Sequence, residues 1–141
     1  METLAGGCHC GNLGLAVALT ASAGDYVPRV CDCDFCCKHG ASYVSDPDGR
    51  LEIKVRDPQL LGRYRQGSGA AEMLVCRSCG VLVGAVYREG DTLLGVANVR
   101  ALDAGSTFAA AQPASPQRLG REEKVDRWKA IWFADVTIAA P

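Results

Sequence analysis

The sequence predicts a mainly β protein assembled from small antiparallel sheets, with at most a short helix near the C-terminus. Apolar and polar residues alternate over residues 13–19 and again over 51–55, and this period of two is typical of half-buried strands. Cysteine pairs in glycine-containing turns stand before or between such segments. We therefore expect strands that leave and enter cysteine turns.

Composition and charge fit one domain spanning residues 1–141. The chain is 48% hydrophobic, which is enough to bury a core at this length. Its net charge of -1, from 15 basic and 16 acidic residues spread along the chain, argues against a nucleic-acid partner held by phosphate contacts. We find no secretion signal at the start and no apolar segment long enough to span a membrane, so we expect a cytoplasmic protein without a membrane partner.

The other elements follow from local patterns. Short strands are predicted at 26–30, 42–45, 72–75, 81–87 and 92–99, with the last two joined as a hairpin, and residues 60–65 could extend. The Asp-Pro-Asp-Gly sequence at 46–49 predicts a turn. Residues 104–120 are rich in Ala, Ser, Pro and Gln and predict an irregular connection. The C-terminal segment 121–141 predicts a helix over 121–132, from the spacing of Val125, Trp128 and Ile131, and a strand over 133–138.

Eight cysteines are the chemically informative residues. Without an export signal they indicate metal ligands, because cytosolic reductants keep thiols free; a small oxidised domain with four disulfides is the alternative. Two pairs that lie far apart in sequence predict one closed, four-thiolate structural zinc site. These ligands are Cys8, Cys10, Cys76 and Cys79.

The central cluster at 31–37 predicts a different kind of site. The thiols of Cys31, Cys33 and Cys36 can converge on one zinc ion, and catalytic zinc keeps its fourth position open. We place Cys37 outside this set, because adjacent residues of an extended chain point to opposite faces. A three-sulfur zinc centre can bind an incoming thiol and lower its pKa.

The neighbours of this cluster leave an alternative open. Cys37, His39 or Asp34 would complete a second closed structural site, and the protein would then have no chemistry. Asp32 and Asp34 are expected to hydrogen-bond turn amides, while the functional alternative makes one of them a proton acceptor. Three nearby basic residues could compensate thiolate charge, meet an anionic substrate or stay solvated: Arg29, Lys38 and Arg77.

Three motifs, in this order, resemble the family of glutathione-dependent formaldehyde-activating enzymes, which includes centromere protein V. They are Gly-Cys-His-Cys-Gly at 7–11, Cys-Asp-Cys-Asp-Phe-Cys at 31–36 followed by a glycine at 40, and Cys-Arg-Ser-Cys-Gly at 76–80. The match covers residues 6–103. The resemblance implies a tent-like β fold with two zinc ions, one structural at the four paired cysteines and one catalytic at the central three.

The resemblance also implies a reaction. The family joins glutathione to formaldehyde, so we expect a carbon-sulfur lyase acting on a small thiol such as glutathione and a small aldehyde, with Cys31, Cys33 and Cys36 at the catalytic centre. The chain departs from the family pattern at two positions: many relatives have histidine where this chain has Asp32, and Cys37 is an additional thiol. Both departures leave metal binding intact, and both bear on which substrate is used. The second hypothesis is a noncatalytic zinc-binding module that docks to a protein or nucleic acid.

Overall fold

The chain folds into two β-sheets packed face to face, with one helix lying across the outer face of the larger sheet. The structure is a computed structural model and describes residues 2–141. Its strands are β1 (Glu2–Gly7), β2 (Leu13–Leu19), β3 (Arg29–Cys31), β4 (Ser42–Val44), β5 (Arg50–Val55), β6 (Leu61–Tyr64), β7 (Glu72–Cys76), β8 (Leu82–Glu89), β9 (Thr92–Asn98), β10 (Gln112–Ala114) and β11 (Asp135–Ala139). Its α-helices are α1 (Asp34–His39) and α2 (Arg121–Ile131). Short 3-10 turns lie at Ala23–Asp25, Pro58–Leu60, Val99–Ala101, Gly105–Thr107 and Pro116–Arg118.

The mainly β class is confirmed. The smaller sheet has the strand order β1-β2-β5-β11, and the larger sheet has the order β10-β3-β4-β9-β8-β7-β6. Strand pairs are antiparallel except β11 with β5 and β10 with β3, which are parallel. Each parallel pair joins a strand from the C-terminal part of the chain, β10 or β11, to a strand much earlier in the sequence. Parallel neighbours need a long connection between them.

Most predicted elements are present, and three were not predicted from sequence: β1, α1 and β10, which lies within the segment 104–120 predicted as an irregular connection. The strand at 13–19, the hairpin of β8 and β9 and the C-terminal helix are confirmed. Strand β1 is rich in Ala and Gly and has weak strand propensity, and it forms by pairing along its whole length with β2. Helix α1 has no apolar periodicity. It begins where the Cys33 side chain accepts a hydrogen bond from the Cys36 backbone N–H.

The larger sheet is buried on both faces. One core cluster fills the space between the sheets and includes Leu13, Val17, Leu51, Ile53, Val83, Val86 and Phe133. A second cluster covers the opposite face and includes Cys31, Cys33, Cys36, Tyr43, Leu82, Ala85, Trp128 and Trp132. Strand β8 contributes to both clusters, which explains why residues 81–87 read as a nearly continuous apolar run.

Helix α2 is held against the larger sheet by aromatic packing and by its C-terminal end. The rings of Trp128 and Trp132 stack with centroids 4.5 Å apart, and Tyr87 of β8 lies 5.5 Å from Trp128. The Ser45 hydroxyl donates a 2.6 Å hydrogen bond to the Ile131 carbonyl. Within residues 2–141, neither helix has the length and apolar composition needed to cross a membrane.

The predicted turn at 46–49 contains a buried carboxylate. Asp46 is 5% exposed, and its carboxylate accepts hydrogen bonds from the Thr20 backbone and hydroxyl, the Tyr26 hydroxyl and the Asp48 backbone, at 2.5 to 2.9 Å. Burial raises the pKa of Asp46, but these donors together outweigh burial and lower the pKa to about 2. The carboxylate thus ties the end of β2 to the loop after β4.

We predict that Asp46→Asn lowers the free energy of unfolding by about 2 kcal/mol at neutral pH, because the folded state favours the ionised carboxylate by nearly two pKa units. In the unmodified protein this contribution is complete above about pH 5 and is lost as the pH falls through the folded-state pKa of about 2. Denaturant unfolding between pH 2 and 7 measures it. The exposed Asp48→Asn variant is the control, and equal pH profiles for the two variants would contradict the assignment.

Candidate metal centres

Two turns from opposite sheets bring four thiols together. The turn between β1 and β2 presents Cys8 and Cys10, and the turn after β7 presents Cys76 and Cys79. The four sulfurs all lie within 4.8 Å of one another. Glycines complete both turns with left-handed backbone angles, φ of +87° at residue 11 and +82° at residue 80, a conformation that other residues adopt at a cost.

The spacing of these sulfurs fits a metal ion. The Cys8 and Cys10 sulfurs are 3.7 Å apart, and the Cys10 and Cys76 sulfurs are 3.6 Å apart. Zinc-sulfur bonds of about 2.3 Å in a tetrahedron place sulfurs about 3.8 Å apart, whereas disulfide sulfurs are about 2.05 Å apart. All eight cysteines are free thiols, so the alternative with four disulfides is wrong. The cluster could hold a metal ion.

The four thiols differ in pKa. Burial raises the pKa of Cys8 to about 11. At Cys79 burial also acts to raise the pKa, but hydrogen bonds involving the Cys10 and Val81 backbones outweigh it and lower the pKa to about 6. Full ionisation of four neighbouring sulfurs therefore requires a cation among them, which is the usual coupling between metal binding and proton release.

The end of β3 and the start of α1 bring together the three central thiols. The sulfurs of Cys31, Cys33 and Cys36 lie within 4.8 Å of one another and are all buried. Among the described residues 2–141, no histidine, carboxylate or further cysteine joins this group. The cluster could hold a metal ion through three protein donors.

Two of these neighbouring thiols shift each other's pKa in opposite directions. The contact with Cys36 lowers the pKa of Cys31 to about 6, and the same contact, together with burial, raises the pKa of Cys36. The Tyr43 hydroxyl lies 3.1 Å from the Cys36 sulfur, and burial raises the pKa of this tyrosine, so it stays protonated and can donate to the sulfur. Tyr43 is a site residue that sequence analysis missed.

None of the three side chains that could have closed this cluster joins its group of sulfurs. The exposed Cys37 lines a separate cavity of about 780 Å³, with its sulfur 3.8 Å from the Cys31 carbonyl oxygen. The reason given for placing Cys37 outside was wrong, since residues 36 and 37 are helical, where neighbouring side chains point in directions about 100° apart. His39 packs on Phe35, with ring centroids 4.7 Å apart. Asp34 is exposed at the first residue of α1.

The charged neighbours separate into two groups. The Asp32 carboxylate accepts hydrogen bonds from the Ser115 hydroxyl at 2.5 Å and the Gln117 amide at 3.1 Å, rather than from turn amides as expected. It thereby fastens the 104–120 connection to the central cluster. Arg29 lines the cavity next to the three thiols, whereas Lys38 and Arg77 do not.

A cavity of about 560 Å³ opens from the central thiols. Its floor is formed by the larger sheet, through Met73, Ala85 and Val96, and one wall is α2. Residues of α2 that line it are Arg121, Lys124, Arg127, Trp128 and Ile131. The helical spacing of these residues was visible in the sequence, but nothing local indicated that the helix would lie over the cysteine cluster.

Comparison with known proteins supports the fold. No protein-family model matches this chain, and no curated protein matches it significantly. A crystal structure of a Rhodobacter sphaeroides protein is similar, with a TM-score of 0.50 and 23% sequence identity, over 96% of this chain and 100% of that one. At this identity the similarity concerns the fold alone. Fold and site together define a mainly β protein with two cysteine clusters that could bind metal ions.

We predict that Cys10→Ser abolishes soluble, folded protein, because structural zinc supplies roughly 10 to 16 kcal/mol and the four thiols connect the two sheets. Cys37→Ser is a matched control, since both cysteines are exposed and neither substitution creates a large cavity. Soluble yield and thermal unfolding measure the difference. Equal yields and melting temperatures for the two variants would contradict a stabilising metal at the four-cysteine cluster.

Proposed function

We propose that the protein is a zinc-dependent carbon-sulfur lyase that forms or breaks the adduct of a small thiol and a small aldehyde. One observation carries the proposal: three buried thiols, without a fourth protein donor among residues 2–141, line a cavity of about 560 Å³. This volume lies within the range of small-molecule sites. The motif resemblance adds the specific reaction, S-hydroxymethylglutathione from glutathione and formaldehyde.

Zinc is the metal that suits this donor set. Thiolates are soft ligands, and sites with three protein donors are typical of catalytic zinc, while four-thiolate sites are typical of structural zinc. In this proposal Cys31, Cys33 and Cys36 hold the catalytic ion and the other four ligands hold the structural one. A bound zinc would supply Lewis acidity that favours the ionised form of a substrate thiol.

The chain itself prepares the cavity for this chemistry. Trp128 and Trp132, each less than 10% exposed, form an apolar wall that keeps water away from one side of the thiols. Tyr43 fixes the position of the Cys36 sulfur by its hydrogen bond. The exposed Asp34 on the lining shows that another side is open to solvent.

The reaction balances without a further reactant. The substrate thiol loses its proton, its sulfur electron pair forms a bond to the aldehyde carbon, and the electrons of the carbonyl π bond move to oxygen. That oxygen then takes a proton, so the net reaction adds the S–H bond of the thiol across the C=O bond of the aldehyde. Because the cavity is open to solvent, water can accept and return this proton.

We predict that Cys33→Ser lowers thiol-dependent formation of S-hydroxymethylglutathione by at least about 100-fold while the fold stays intact. Serine is a favourable N-cap, and Cys33 is the N-cap of α1, so the helix should tolerate this change. Nuclear magnetic resonance with labelled formaldehyde follows the exchange between free aldehyde and adduct. Circular dichroism checks the fold.

Cys37→Ser is the control for this experiment and should retain activity, because its sulfur lies in the other cavity. If the unmodified, zinc-loaded protein gives no acceleration with any small thiol, the catalytic assignment fails. The protein would then be a metal-binding module without turnover.

A further inference from the structure

The cavity has a strongly cationic wall. Four basic side chains line it: Arg29, Arg121, Lys124 and Arg127. The one acidic side chain on the same lining is the exposed Asp34. Three thiolates around a zinc ion would add a formal charge of -1, so the four positive groups still outnumber the negative charges, and such a cavity attracts anions before any specific contact forms.

These basic groups have no carboxylate partners. Within residues 2–141, no Asp or Glu oxygen lies within 4.0 Å of their charged nitrogens, whereas Lys129, on another face of the same helix, pairs with Glu89 at 2.8 Å. Lys124 and Arg127 are three residues apart, so they project from the same side of α2. Their charges remain available to a ligand in the cavity.

Arg29 is held in place by neutral groups. Its guanidinium donates a 2.8 Å hydrogen bond to the Ser45 hydroxyl, which in turn donates to the Ile131 carbonyl at the end of α2. Arg29 and Arg127 both line the cavity, so an anion bound there can meet both positive charges.

We propose that Arg29 and Arg127, with Lys124 on the same wall, form an oxyanion subsite that selects a substrate carrying a carboxylate or phosphate group. This inference rests on the proposed function, because it names the class of thiol or adduct that enters the cavity. Planar guanidinium groups recognise both oxyanions by paired, charge-assisted hydrogen bonds. Helix α2, which lies outside the motif-bearing range 6–103, is then the element that sets specificity.

Binding of small anions tests the subsite without requiring turnover. Both tryptophans of the chain line the cavity, so their fluorescence reports occupancy. The probes are succinate, inorganic phosphate and the neutral succinamide, titrated into zinc-loaded protein at constant ionic strength. We expect one or both anions to bind saturably and succinamide to bind at least about tenfold more weakly. The tighter anion identifies whether the substrate group is a carboxylate or a phosphate.

Matched variants locate the binding. Arg127→Met should weaken anion binding about fivefold, and Arg88→Met, an exposed residue outside the cavity, should leave it unchanged. Arg29→Met should weaken binding more than tenfold, provided that circular dichroism shows a native fold. Equal binding by the Arg127 and Arg88 variants, or anion binding no tighter than succinamide binding, would overturn the proposal.

Kinetics separate this proposal from the proposed function. With an active protein, Arg127→Met should raise the KM for glutathione more than the KM for the neutral 2-mercaptoethanol, with little change in kcat. If the protein binds anions as described but turns over no thiol, the subsite is supported and the lyase assignment is wrong. If the protein is active with both thiols, and Arg127→Met changes neither KM nor anion binding, the lyase assignment is supported and the subsite is wrong.

Discussion

The mutual repulsion of ionised thiols is the constraint on which this structure depends. Seven of the eight cysteines lie in two clusters whose sulfurs are within 4.8 Å of one another. Thiolates at such distances cannot all carry charge unless a cation lies among them. The four-cysteine cluster connects a turn of the smaller sheet to a turn of the larger one, so a cation there would fix how the sheets pack. Metal binding at this cluster would therefore be coupled to folding.

The two clusters differ in the number of their donors and in what surrounds them. The four-cysteine cluster has a complete set of donors from two short turns. The central cluster has three donors, a buried tyrosine beside one of them, and a cavity lined by both tryptophan and basic side chains. Its thiols belong to the core cluster on the outer face of the larger sheet, beneath α2. The cavity lies between this helix and the sheet.

Sequence patterns predicted most strands and both cysteine clusters, because alternation and ligand spacing are local properties. Strand β1 was missed since its Ala and Gly residues carry no strand pattern and only pairing with β2 orders them. Helix α1 was missed because it has no apolar periodicity. Its residues follow the spacing of the cysteines instead. Tyr43 and Arg127 could not be assigned to the site, since they approach the thiols only through sheet pairing and helix docking. Those contacts join residues far apart in sequence, and no motif encodes them.

Anomalous diffraction from crystals of the zinc-loaded protein tests the central claim most directly. The account predicts two zinc peaks for each chain. One should lie among the sulfurs of Cys8, Cys10, Cys76 and Cys79, and the other should contact three sulfurs and face the cavity. A single peak, or a fourth protein ligand at the central ion, would contradict the account.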